Sequence, residues 1–214
     1  SGVTKSLSEH FRNITQELDT RFFASKANKS VLDIGSNDGT QLKHFQAAGW
    51  EVLGVESSKG TAAIAEKAGI PTVNEFFNEA LVEKLGKKFD VINAAGVFFH
   101  LEELHSVTRG IKKALKDDGV FVVQFMYMKN IIENCAFDQI YHEHLLYYTL
   151  KTIGTLLGRH ELEMFDCYLS PIHGGSIIGF IGHPGRREKS DRYLKMVAEE
   201  ERSKVNEIQT FHRF

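Results

Sequence analysis

Apolar positions along this chain follow two alternating rhythms. Leu7, Phe11, Ile14, Leu18 and Phe22 recur every three or four residues, which predicts an amphipathic helix over 6–25. Short apolar runs at 31–34, 51–55, 71–73, 89–95, 119–126, 162–169 and 176–182 predict strands, and helical patterns at 40–48, 59–68, 76–86 and 102–116 sit between the first five. Gly49, Gly69 and Gly119 come after helical stretches, where a left-handed cap residue belongs. This alternation predicts a doubly wound, parallel α/β sheet.

The rhythm changes after residue 126. Residues 127–160 are longer and more aromatic than a simple crossover, and only the short loop 170–175 separates the last two strands. Such a hairpin puts one strand antiparallel to the rest. After Pro184-Gly185 a charged helix is predicted from about 188 to the end, with Leu194, Val197, Val205 and Ile208 on one apolar face. That face has few partners in the sequence, so a further segment or a partner is expected to cover it. The chain divides into an N-terminal helical segment at 1–27, an α/β domain at 28–184 and a C-terminal helix at 185–214, the last read as the start of another domain.

Composition narrows the picture a little. The 214 residues are 42% hydrophobic and 25% charged, with a net charge of −2, so there is no electrostatic case for nucleic acid. No apolar run is long enough to span a bilayer, and Ser1-Gly2-Val3-Thr4-Lys5 has neither a signal core nor an initiator Met. A cytoplasmic location is expected. Cys135 and Cys167 form no CxxC pair, so a metal site is not expected and two free, buried thiols are.

Two motifs carry chemistry. In Val31-Leu-Asp-Ile-Gly-Ser-Asn-Asp-Gly39 a strand ends, glycines turn the chain and a helix begins. The loop is G-x-x-x-G and lacks the middle glycine of a dinucleotide fingerprint. Asp33, Asn37 and Asp38, with Gly35 and Gly39, make an acidic turn that suits a cationic or zwitterionic ligand better than a phosphate. Glu56, at the end of the next strand, can accept both hydroxyls of a ribose or supply a helix N-terminal charge. Asn74 and Phe76 stand where an adenine can be edge-bonded and packed, with core aromatics at a strand end as the alternative; Ala95 completes the candidate cofactor set.

The second motif is Phe137-Asp-Gln-Ile-Tyr-His-Glu-His-Leu-Leu-Tyr-Tyr148. It combines imidazoles that titrate near neutrality, a carboxylate able to orient them and phenols able to hold an oxyanion.

Together the glycine turn and Glu56 resemble the first two motifs of the S-adenosylmethionine methyltransferases, over roughly 28–182. The resemblance implies the seven-stranded class I (Rossmann-like) methyltransferase sheet, with S-adenosylmethionine as cofactor and S-adenosylhomocysteine as product. The order Asp-Ile-Gly-Ser-Asn-Asp-Gly, then Phe-Asp-Gln-Ile-Tyr-His-Glu-His, then His173-Gly-Gly-Ser176 is similar to the sugar C-methyltransferases. That family implies a small N-terminal zinc domain and a C-terminal domain around this core, and a nucleotide-linked keto-sugar as acceptor.

In that family's chemistry a base removes a proton next to a carbonyl. The resemblance makes His144 the base. Glu143 orients an imidazole or binds a substrate hydroxyl, and Tyr141 and His100 hold the keto or enolate oxygen. Tyr127, His142 and His173 are assigned to the acceptor side, His142 with a structural role as the alternative. The pattern is departed from at Gly96, where an Asn is usual, at Gln124, where a Glu is usual, and at Ile177-Ile178, where an Arg is usual. O- or N-methylation on the same fold, and a non-catalytic cofactor-binding module, remain open on the residues alone.

Overall fold

A computed structural model describes residues 5–98, 100–140, 142–171 and 175–214. Helix α1 (Lys5–Phe22) leads into β1 (Ser30–Ile34), α2 (Thr40–Ala47), β2 (Glu51–Val55), α3 (Lys59–Lys67), β3 (Thr72–Val73), α4 (Glu79–Leu85), β4 (Phe89–Ala95), α5 (Leu104–Ala114) and β5 (Leu115–Met126). Then come α6 (Met128–Glu133), α7 (Leu150–Arg159), the hairpin β6 (Glu163–Ser170) and β7 (Ser176–Gly182), and finally α8 (Asp191–Ser203) and α9 (Ile208–Arg213). The strands form one seven-stranded sheet in the order β3-β2-β1-β4-β5-β7-β6. Strands β1 to β5 pair with one another in parallel, and β7 runs antiparallel to both β5 and β6.

Alternation along the strands sends side chains to two cores, one on each face. Val31, Val91, Val120, Val122, Ile178 and Phe180 pack with Ile14 and Leu18 of α1 and Leu42 and Phe45 of α2. Leu32, Ile92, Phe121, Val123 and Phe125 pack on the other side with Ile111 of α5 and Ile153 of α7. Each such Leu, Ile or Phe contributes about 1.5–3 kcal/mol by burial. A buried carboxylate also ties the N-terminal and C-terminal helices to the sheet. Asp166 on β6 accepts from Arg21 Nη1 at 2.5 Å, Arg192 Nε at 2.6 Å and Ser190 Oγ at 2.5 Å. Burial alone would raise this carboxyl's pKa; the bonds from Arg192, Ser190 and Arg21 outweigh it and hold it below the ordinary value.

Helix α5 ends at Ala114 and β5 begins at Leu115 with no residue between them, and the β4–β5 pairing shifts register between Phe89 and Val91. Gly119 therefore lies inside β5 instead of capping a helix, and Gly86, φ 57° after α4, is a left-handed cap that the expected set lacked. The C-terminal helix is also not continuous. Lys204 is left-handed at φ 56° and breaks it into α8 and α9. The expected single apolar face is broken with it: Val205 is buried, whereas Leu194 is 49% and Ile208 61% exposed. Val197, of the expected apolar face, packs on the core, joined there by Tyr193 and Met196. Both cysteines are free, but only Cys167 is buried; Cys135 is exposed. No helix among the described residues is long and apolar enough to cross a membrane.

Candidate functional site

The glycine turn is built from left-handed residues. Gly35, Asn37 and Gly39 have φ of 69°, 51° and 77°. Glycine and, among the others, asparagine adopt this region most readily. At Gly35 the need is also spatial, since a Cβ would meet Val97 Cγ2 at 2.9 Å. Gly35 N and Ser36 N both donate to Val55 O, at 2.9 and 3.2 Å, which anchors the turn on β2. Gly39 offers no side-chain cap to α2, so Asp38 Oδ1 accepts from Thr40 N at 3.0 Å in its place.

A cleft of about 340 Å³ opens beside this turn, at the point where the sheet order reverses between β1 and β4. Asp33, Gly35, Asn37, Asp38, Glu56 and Ala95 line it. Gly39 is buried behind the wall, with a Cβ there meeting Ile70 Cγ1 at 2.9 Å. Asp33 is buried and accepts from Asn93 Nδ2 at 2.6 Å. Burial, opposed by that bond and reinforced by the nearby Glu56 charge, pushes the Asp33 carboxyl up to about 7. Glu56 Oε2 accepts from Asn37 N at 3.0 Å and Oε1 from Ser58 N at 2.7 Å, so this carboxylate braces the glycine turn and the start of α3.

Asn74 and Phe76 are not brought into the cleft. The Asn74 amide donates to Glu56 O at 2.8 Å and Ser57 O at 3.0 Å, and Phe76 is 76% exposed. Strand β3 is only Thr72–Val73, and Asn74 lies just beyond it, bonded to two residues that line the cleft.

Other wall residues had no assigned role in the sequence. Leu7 and Phe11 belong to the apolar stripe of α1, and they stand over the cleft, only partly buried. Ser36, Thr40, Gln41, Ser57, Gly96 and Val97 complete the lining. Ser57 follows Glu56 directly, and Gly96 (φ 73°), singled out in the sequence only as a departure from the family pattern, follows Ala95 directly. Gln41 Nε2 and Ser36 Oγ are buried without a hydrogen-bond partner among the described residues. Buried polar atoms are nearly always satisfied. An orphaned donor and hydroxyl in the wall of an acidic cleft fit a polar, cationic ligand such as S-adenosylmethionine.

Val97 leads into the loop that carries His100, whose N donates to Val97 O at 2.9 Å. The His100 Nδ1 lies 2.5 Å from Glu143 O, and His144 Nδ1 lies 2.9 Å from Gln139 O. A carbonyl only accepts, so each Nδ1 carries a hydrogen and the lone pair of each neutral ring is on Nε2. The two ring centroids are 5.2 Å apart. His144 is 9% exposed, and Tyr147 stands edge-on to it at 6.3 Å. Glu143 orients the His100 imidazole, but through its main-chain carbonyl and not its carboxylate. His142 is exposed. Tyr127, assigned to the acceptor, is 2% exposed and donates its hydroxyl to Glu200 Oε2 at 2.9 Å, a place in the core that the acceptor side does not share. Tyr141 and His173 lie outside the described residues.

Comparison with known proteins follows the same lines. Residues 7–166 match the family model described as a methyltransferase domain, Methyltransf_23. The chain is 31% identical over 174 residues to the C-methyltransferase NovU of Streptomyces niveus, covering 79% of this chain and 41% of that protein. It is 28% identical over 101 residues to a ubiquinone biosynthesis O-methyltransferase of Pseudomonas putida (strain GB-1), covering 45% of this chain and 44% of that one. The chain thus spans about two fifths of the length of these curated relatives. Among solved structures it is similar to magnesium protoporphyrin IX methyltransferase (ChlM) from Synechocystis PCC 6803 with bound SAH, at TM-score 0.63, 14% identity and 82% and 83% of the two chains. It is also similar to the CcbJ methyltransferase from Streptomyces caelestis, at TM-score 0.65, 16% identity and 86% and 98% coverage.

Proposed function

The chain belongs to the methyltransferase-domain family, and from that premise we propose that it moves the methyl group of S-adenosylmethionine onto a carbon next to a carbonyl, in a nucleotide-linked keto-sugar or a related ketone. S-adenosylmethionine is the cofactor and S-adenosylhomocysteine the product. The observation that carries the carbon-acceptor reading is the His144 ring, fixed by Gln139 O with its lone pair on Nε2 and paired with a second imidazole 5.2 Å away. Transfer to oxygen or nitrogen needs less base strength, so two fixed imidazoles are less called for. The relative at 31% identity carries the name C-methyltransferase.

Asp33, Gln41 and Glu56 would hold the cofactor: Gln41 by its orphaned amide, Glu56 by accepting ribose hydroxyls, Asp33 as a buried carboxyl in the cleft wall. The bound cofactor supplies a methyl group made electrophilic by its sulfonium. On the acceptor, His144 Nε2 takes the α-proton and becomes imidazolium, and the electron pair of the broken C–H bond moves onto the carbonyl oxygen. Tyr141 and His100 are assigned to hold that oxygen. Holding an oxyanion this way is worth about 2.7–4 kcal/mol per donor.

The test is the fate of label. Methyl-13C cofactor and an α-deuterated keto-sugar nucleotide should give a product with a new 13C–C bond and deuterium lost to solvent. A labelled methyl ether or amine would replace this reading with O- or N-methylation. Tight S-adenosylhomocysteine binding without transfer to any acceptor would replace it with a binding module.

A further inference from the structure

Helix α8 sends one carboxylate into the interior. Glu200 is 3% exposed, and each of its oxygens accepts two hydrogen bonds. Oε2 accepts from the Tyr127 hydroxyl at 2.9 Å and Leu150 N at 2.6 Å; Oε1 accepts from Lys151 N at 3.0 Å and Asn206 Nδ2 at 3.0 Å. That satisfies a buried carboxylate's acceptor capacity almost fully. Leu150 N and Lys151 N are the first two donors of α7, which have no partner within the helix, and the positive end of the helix dipole faces the charge. Burial and the Glu200 charge also raise the Tyr127 phenol, which keeps it a donor.

These contacts lie at the two ends of one excursion. Tyr127 is the residue before α6, and Leu150 is the first of α7. Between them run residues 128–149, which include the His-Glu-His motif. The ends are also tied to each other and to the site: Met128 N donates to Tyr148 O at 2.9 Å, and the Tyr148 hydroxyl donates to Phe98 O at 3.3 Å, two residues before His100.

We infer that Glu200 is a positioning residue for methyl transfer: from one point it clamps both ends of the 128–149 excursion and so sets where His144 stands relative to His100. This rests on the assignment of His144 as the base. Glu200 reaches no reacting atom itself; it acts through Tyr127 and the start of α7. Replacing it by glutamine exchanges one acceptor oxygen for an NH2 group that faces donors, which leaves them unpaired.

The experiment compares Glu200→Gln with Asn78→Ala, which removes the side-chain cap of α4 far from the excursion and serves as a control for general destabilisation. Glu200→Gln should lower kcat by about tenfold to a hundredfold, as expected for a misplaced catalytic group. Affinity for S-adenosylhomocysteine should stay within about twofold, and the His144 imidazole resonances should move in two-dimensional NMR. Asn78→Ala should lose stability but keep kcat within about threefold and leave those resonances in place. If Glu200→Gln fails to fold, Tyr127→Phe removes one of the four contacts and carries the same expectations at smaller size. Unmoved His144 resonances, or a kcat loss no larger than in Asn78→Ala, would overturn the clamp whatever His144 does. Normal turnover in His144→Ala with moved resonances in Glu200→Gln would overturn the base assignment and, with it, the catalytic purpose given to the clamp.

Discussion

The rings of His100 and His144 stand 5.2 Å apart, and each anchors its Nδ1 on a main-chain carbonyl of the same loop, Glu143 O for one and Gln139 O for the other. Two imidazoles thus present their Nε2 atoms from one scaffold. His144→Ala should reduce methyl transfer by about a hundred- to ten-thousandfold, the range for a positioned general base. Exchange of the acceptor α-proton with solvent should vanish too, while S-adenosylhomocysteine affinity by calorimetry changes little. Retained exchange would move the base to His100 or Tyr141.

Glu143→Gln should cost far less than His144→Ala. The contact that orients His100 comes from the Glu143 carbonyl, which the substitution leaves intact. A loss as large as that of His144→Ala, measured as kcat, would mean that the carboxylate itself meets the acceptor.

Glu56→Ala should weaken S-adenosylhomocysteine binding by about 1.5–3 kcal/mol, the worth of a hydrogen bond to a charged group. Two effects combine there, since Asn37 N and Ser58 N lose the acceptor that braces the glycine turn. Calorimetric titration of the variant checks the size, and unchanged affinity would rule out the ribose role.

Asp33 and Asp166 pull stability in opposite directions with pH. The folded Asp33 carboxyl, raised from 3.8 to about 7, keeps its proton where the unfolded chain has lost it. Its contribution is therefore full below 3.8 and is lost as pH rises towards about 7. Asp166 has a lowered value, so its contribution is full above 3.8 and is lost as pH falls below it. Asp33→Asn should gain stability relative to the parent between pH 5 and pH 8, with each kcal/mol worth about 2–4 °C in Tm. Thermal melts at the two pH values check this; a difference that does not grow with pH would refute it.

Gly35→Ala should destabilise by about 1–3 kcal/mol through its left-handed backbone, plus the displacement of Val97. Gly49→Ala has φ 81° and open space around the new Cβ, so it should show the backbone cost alone. Denaturant midpoints of the two variants separate the terms; equal losses would mean that Val97 moves aside freely.

The sheet and the glycine turn were legible because both depend on neighbours in sequence: alternating apolar residues and a left-handed Gly-Asn-Gly series. Glu56 was legible as the residue closing β2. Asn74 and Phe76 follow the two-residue β3 and do not line the cleft, though Asn74 is bonded to Glu56 and Ser57, which do. Leu7 and Phe11 share the spacing of Ile14 and Leu18, and spacing alone cannot tell a core contact from a cleft wall. The Tyr127–Glu200 bond joins residues 73 apart, and nothing local in either segment announces it.

The seamless passage from α5 to β5 has a consequence for how this chain can change. No residue separates Ala114 from Leu115, and the slack lies just beyond, where residues 116–119 of β5 face the single Asp90 of β4. A one-residue slip would exchange the two faces of β5, turning Val120 and Val122 towards the side now filled by Phe121 and Val123. Gln124, which meets His10 of α1 at 3.1 Å, would turn away with them. Length variation among homologues should therefore avoid β5 from Val120 onward and collect in the bulge at 116–119 and in connections such as that between β7 and α8, where the exposed Pro184 and Gly185 leave room for it.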